Sequence, residues 1–101
     1  MDNIKSLIER ASALFPDSID VSDGELRSDN GFFSTNLSDV WHSAEDKNGV
    51  VGNDVDAMIW AIYGLLHRKS RENYLKGIHT ISLNEIGFDN IEKEYFKVKN
   101  N

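Results

Sequence analysis

Apolar residues recur along this chain at helical spacing in several stretches, and the spacing is lost between them. The clearest stretch is Asn53 to Arg68. At about 100° per residue, Val55, Met58, Ile59, Ile62, Leu65 and Leu66 fall on one stripe, which is the pattern of a packed helix and not of a strand. Ala57, Ala61 and Gly64 form a small-residue face, and Asp56, Trp60, Tyr63 and His67 form a mixed aromatic and polar seam. A helix apolar on more than one side either sits at the centre of a domain or displays a binding surface, and the seam allows both readings.

The same periodicity predicts a first helix from Asn3 to Phe15, stopped by Pro16, because the residue before a proline is pushed out of the helical region. From Asp17 to Thr35 the period disappears. Gly24 and the Asp29, Asn30, Gly31 triplet are turn signals, with Ile19 and Val21, Leu26, and Phe32 and Phe33 as possible strand arms of a short hairpin, or else as parts of an ordered loop. Leu37, Val40, Trp41 and Ala44 predict a helix behind Asn36 that ends at Asn48 and Gly49. Asn53 is a good N-cap for the central helix, with Asp54 and Asp56 in its first turn and His67, Arg68 and Lys69 in its last. Ser70 would open another short helix, closed at Gly77 by a left-handed stop with Ile78 as its apolar contact. Ser82 and Glu85 form a capping box with Ile81 and Ile86 as a hydrophobic staple, Gly87 interrupts, and Asp89 with Glu92 offers a second box ahead of Ile91, Tyr95 and Val98. Lys97 to Asn101 is expected to fray. The predicted fold is a mainly α single domain over 1–101, with four or five short helices around the 53–68 helix and a hairpin or loop in 17–35; an α+β domain is the alternative.

Composition narrows this picture without changing it. A chain of 101 residues, 40% hydrophobic and with one Pro, can bury a single core and does not have the composition of a disordered or fibrous protein. Cysteine is absent, which excludes disulfides and thiolate metal sites and suits a cytoplasmic location. The N-terminal residues read as an amphipathic helix and not as a signal peptide, so no export is expected. The longest uncharged apolar run, Ala57 to Leu66, is about half of what a membrane span needs.

The net charge of −6 is unevenly placed: residues 17–56 carry ten acids against Arg27 and Lys47, giving −8, while the remainder holds nine cations against seven acids, giving +2. Such a field favours a basic protein partner and disfavours nucleic acid. The bland alternative is a solvated acidic surface that supports solubility.

Catalytic and cofactor signatures are missing. The glycines are scattered singly, with no GxGxxG or GxxxxGK, no GxSxG elbow and no HExxH. Asp39, His42 and Asp46 share a helix face at metal-ligand spacing, although a turn of this kind is more often a solvated face, and no metal or cofactor is expected. The tetrapeptide Asp17, Ser18, Ile19, Asp20 resembles the DSLD-like site of acyl carrier proteins. That resemblance implies that Ser18 carries phosphopantetheine, in a family where the modified serine opens a helix.

The reading these observations favour is a non-enzymatic, acidic, cytoplasmic binding module, in its concrete form a small inhibitor or immunity-type protein that blocks a basic partner such as a nuclease or toxin. Asp17, Asp20, Asp23, Glu25 and Asp29 would steer the encounter, and Phe32, Phe33 or Trp41 would supply apolar anchors. A self-associating regulatory or structural subunit, dimerising through the aromatic seam, and a carrier protein are the alternatives.

Overall fold

The structure, a computed structural model, describes residues 4–15, 18–27 and 54–100. Among these the elements run α1 (Ile4–Ser12), β1 (Ile19–Asp20), α2 (Asp54–Leu75), β2 (Thr80–Ile81), a single 3-10 turn (Leu83–Glu85) and α3 (Phe88–Lys99). Helix α2 is the centre of the arrangement, packed against α1, α3 and β2. Its predicted stripe is buried where it matters most: Met58, Ile59, Ile62 and Leu66 are sealed from solvent, with Val55 and Leu65 at the margin. Ala57 and Ala61 are also buried, so α2 is apolar on two sides because it has neighbours on two sides. Leu7 and Ala11 reach the core from α1, Phe15 from the turn that follows it, and Ile91 and Tyr95 from α3. Each fully buried Ile or Leu contributes about 1.5–3 kcal/mol by leaving water.

The helix count differs from expectation: three α-helices are present among the described residues, not four or five. Part of the difference is that α2 does not break at Ser70. Ser70 is completely buried, and its hydroxyl is directed to the His67 carbonyl one turn back (2.8 Å) and the Gly24 carbonyl (3.0 Å). A serine used in this way has no hydroxyl left to cap a new helix, and no Gly or Pro interrupts the chain before Gly77. His67, Arg68 and Lys69 therefore lie in mid-helix and not at a C-terminal dipole; Arg68 instead reaches Glu94 of α3 at 2.9 Å. The predicted stop at Gly77 is present. With φ at 79°, Gly77 donates its N–H to the Tyr74 carbonyl (2.9 Å), and Ile78 donates to the Asn73 carbonyl (2.8 Å), which is a Schellman closure. The helix predicted behind Asn36 lies outside the described residues.

Helix α1 is shorter than expected. Its last turn tightens, with the Leu14 and Phe15 amides bonding to the carbonyls three residues back, Ala11 and Ser12. The Ser82 and Glu85 box forms, the Glu85 carboxylate accepting the Ser82 N–H at 3.2 Å between the buried staple residues Ile81 and Ile86, but it opens only the 3-10 turn. Gly87, at φ 90°, breaks the path and itself takes the N-cap position of α3, so the second box at Asp89 and Glu92 is not the start of that helix; Asp89 lies within its first turn. The orphaned Ile86 carbonyl is taken by the Asn90 side-chain amide at 2.8 Å.

The α3 helix continues through Lys99, where fraying was expected. Lys99 is held by the Asp54 carboxylate at 2.9 Å and the Tyr95 hydroxyl at 3.2 Å, tying the end of α3 to the start of α2. The Lys99 hydrogen bond holds the Asp54 carboxyl below its ordinary 3.8. Because the folded-state value is the lower one, the stabilisation from Asp54 is complete above about 3.8 and is lost as pH falls through the lowered value. NMR titration is expected to find Asp54 titrating below the usual aspartate range, and Lys99→Met is expected to return it there; an unmoved titration would show that the contact is not populated.

Candidate functional site

The acidic residues proposed from sequence are positioned by a short turn between β1 and a single antiparallel bridge of Asp20 to Arg27. Strand β1 is fixed by pairing with β2, Ile19 opposite Ile81 and Asp20 opposite Thr80, and by the Val21 N–H donating to the His79 carbonyl at 2.9 Å. Buried Ile19, Val21 and Ile81 root this small sheet in the core, while Asp20 and Thr80 face outward. The Asp29, Asn30, Gly31 turn predicted for a hairpin lies outside the described residues; the turn observed is centred on Ser22 to Gly24.

Side chains build this turn. The Asp20 carboxylate accepts the Ser22 N–H at 2.9 Å, and the Asp23 carboxylate accepts the Glu25 N–H at 3.1 Å, so two successive acids each cap the backbone two residues on. Gly24 supplies the left-handed step, φ 82°, and the Tyr74 ring lies against it, 3.7 Å from where a Cβ would be. The Ser70 hydroxyl holds the Gly24 carbonyl from below. The turn is therefore fastened to α2 by one hydrogen bond and one aromatic contact.

Its electrostatics follow. Asp20 is fully ionised near neutrality, its carboxyl held below the ordinary range first by the Ser22 backbone N–H, then by the Ser22 side chain, with Arg27 and His79 adding to the effect. Asp23 bonds to the Arg27 guanidinium, and Glu25 approaches His67 Nε2 at 3.8 Å. All three acids are exposed. The structure thus brings Asp20, Asp23 and Glu25 together on one turn. Asp17, Asp29, Phe32, Phe33 and Trp41 lie outside the described residues, as do Asp39, His42 and Asp46. Among the described residues, no group of three or more His, Asp or Glu is arranged to hold a metal ion, and no helix is long and apolar enough to cross a membrane. Ser18 is exposed and directly precedes strand β1, where the serine of an acyl carrier protein opens a helix.

Of the four cations that follow His67, which are Arg68, Lys69, Arg71 and Lys76, three are engaged within the fold. Arg68 meets Glu94, and Lys69 and Lys76 share Glu72 at 3.6 and 3.0 Å. The seam on α2 is half-buried: Asp56 is buried, whereas Trp60, Tyr63 and His67 stack edge to face in succession, each pair 5.8 Å apart, with partial exposure.

Two shallow grooves flank α3. One of about 200 Å³ lies between Ile8 and Ser12 of α1 and Phe88 and Ile91; the other, about 230 Å³, lies between Lys69 and Glu72 of α2 and Asn90. Both are smaller than the roughly 300–1,000 Å³ typical of pockets that enclose a small ligand.

Sequence reasoning missed the apolar tip of α2. Tyr74, Leu75 and Ile78 are 43, 83 and 44% exposed around the Gly77 stop, and Tyr74 adjoins the acidic turn. The signal was present in the spacing: Leu75 follows Leu66 by nine residues, about half a turn round the helix, so it points away from the core stripe. No family model matches this chain, and neither a curated protein nor a solved structure is found to match it.

Proposed function

We propose that this chain is a non-enzymatic, acidic protein-binding module of the cytoplasm, and in its concrete form an inhibitor or immunity-type protein that covers the basic surface of a nuclease or toxin. The observation that carries the reading is the separation of charge, −8 over residues 17–56, together with the exposure of Asp20, Asp23 and Glu25 on a single pinned turn. Acids on a rigid turn keep their geometry during an encounter, so their field orients a basic partner without an ordering cost on this side. Asp17 and Asp29 extend the acidic stretch in sequence, and Phe32, Phe33 and Trp41 are the proposed apolar anchors.

The test is kinetic. The basic product of a gene adjacent to the one encoding this chain is purified, and its association is followed by stopped flow across a range of salt. The rate is expected to fall at least tenfold between about 50 and 500 mM NaCl, because surface charges are screened over a Debye length of about 10 Å or less at these concentrations. Asp20→Asn, Asp23→Asn and Glu25→Gln combined remove the charge while Asn at positions 20 and 23 can still accept the backbone N–H bonds, and should slow association several-fold. Binding indifferent to both salt and these changes rejects the reading.

A further inference from the structure

Asp23 and Gly24 are the one Asp–Gly pair in the chain, and they lie in the turn between β1 and the Asp20 to Arg27 bridge. In such a pair the glycine nitrogen, with no Cβ crowding it, can attack the aspartate side chain. The bond from Gly24 N to Asp23 Cγ forms, and one carboxyl oxygen leaves as water with the carboxyl and amide protons. Water then reopens the resulting succinimide. Cleavage between N and Cγ restores aspartate, whereas cleavage between N and the main-chain carbonyl carbon leaves isoaspartate, whose main chain runs through Cβ. The fold gives both reacting groups other partners. The Gly24 N–H donates to the Val21 carbonyl at 3.0 Å. The Asp23 carboxylate accepts the Glu25 N–H at 3.1 Å through one oxygen and the Arg27 guanidinium through the other. Gly24 is buried, with its carbonyl held by the Ser70 hydroxyl at 3.0 Å and the Tyr74 ring against it.

We propose that Asp23 is a site of spontaneous isomerisation that the fold keeps closed, and that the fastening of the turn to α2 sets the rate of the reaction. Attack requires the Gly24 N–H to leave Val21 and the Asp23 carboxylate to leave Glu25 and Arg27, so it occurs only while the turn is lifted from α2. Loop opening is fast compared with imide formation, and the rate therefore follows the population of the open form. The product does not close in the same way. In isoaspartate the carboxylate is attached directly to Cα and the main chain is one atom longer before Gly24, so the spacing that joins the Asp23 carboxylate to the Glu25 N–H is lost. Each opening that reacts is recorded as a permanently altered turn. The inference rests on the turn and α2 and does not need the basic-partner reading.

Peptide mapping of the purified chain during several weeks at neutral pH provides the test, because isoaspartate and aspartate peptides of equal mass separate on chromatography. The tryptic peptide that ends at Arg27 contains Asp23 and neither of the Asn–Gly pairs, Asn30 with Gly31 and Asn48 with Gly49, whose deamidation would also yield isoaspartate. Isomerisation at Asp23 is expected to be at least about tenfold slower in the folded chain than in the same chain unfolded in urea. Ser70→Ala should raise the folded-state rate several-fold, and Tyr74→Ala, at an exposed position, should act in the same direction. Ile91→Val, a core change on α3, should leave the rate near the wild-type value. A folded chain that isomerises as fast as the unfolded one, or a rate unmoved by Ser70→Ala or by Tyr74→Ala, overturns the proposal. A rate raised as much by Ile91→Val would place the reaction in the globally unfolded chain and overturn control by the turn.

Discussion

Leu66→Ala is expected to lower the stability of this protein by about 3 kcal/mol, whereas Leu75→Ala, in the same helix, should change it by less than about 0.5 kcal/mol. The residue type and the helix are held constant, and only the direction differs. Leu66 is 0% exposed and belongs to the same buried core cluster as Ile59, Ile62 and the residues from α1 and α3, so its truncation loses transfer energy and leaves a cavity. Leu75 is 83% exposed, and alanine is at least as good a helix former there. Urea unfolding at low micromolar concentration measures both. Equal losses would mean that α2 is buried to its end and that Leu75 is not exposed.

The second large effect is a reversal of sign at Ser70. Judged by helix propensity alone, Ser70→Ala in the middle of α2 should stabilise by about 0.5 kcal/mol. The observed contacts predict the opposite. The Ser70 hydroxyl is buried and its one proton is shared between the His67 carbonyl (2.8 Å) and the Gly24 carbonyl (3.0 Å), so its removal takes from the Gly24 carbonyl its side-chain partner, at a cost of about 1–3 kcal/mol. The net expectation is a loss of about 1–2 kcal/mol, together with faster amide exchange at Gly24 and Arg27, whose N–H groups close the turn. A stabilised Ser70→Ala protein with unchanged exchange would show that the turn is not fastened to α2.

The parts of the fold legible in the sequence are those set by neighbours within about one helical turn. The Met58 to Leu66 stripe, the Gly77 stop and the Ser82 and Glu85 box each depend on residues a few positions apart, and each is present. What was not legible depends on distant partners. Ser70 has the local chemistry of a cap, but its hydroxyl turns back to the His67 carbonyl and out to Gly24, 46 residues away in sequence, and the second of these partners is invisible to local pattern. Strand β2 is two residues long and has no period to detect; it exists because Ile19 lies across from Ile81. Gly87 was read as an interruption, yet it also supplies the start of α3, because a backbone at positive φ sets the direction of the next helix without a side-chain cap.

The candidate site divides in the same way. Asp20, Asp23 and Glu25 were legible as exposed acids because charge and turn chemistry are local properties. Their fastening beneath Tyr74 was not, and neither was the exposure of Leu75. The central helix was expected to end before Leu75, so that residue was given no place, although its angular position relative to Leu66 points it away from the core stripe.

The pairing of Ile19 with Ile81 also orders events during synthesis. The partner of strand β1 leaves the ribosome roughly 60 residues after it, an interval of about 3–12 s at 5–20 residues per second. Through that interval Ile19 and Val21 have no sheet to join, and the acidic turn beside them has no helix to rest on. Helices α2 and α3, adjacent in the chain, can meet as soon as both are made, whereas β1 can join its sheet only after β2 has followed α2 from the ribosome.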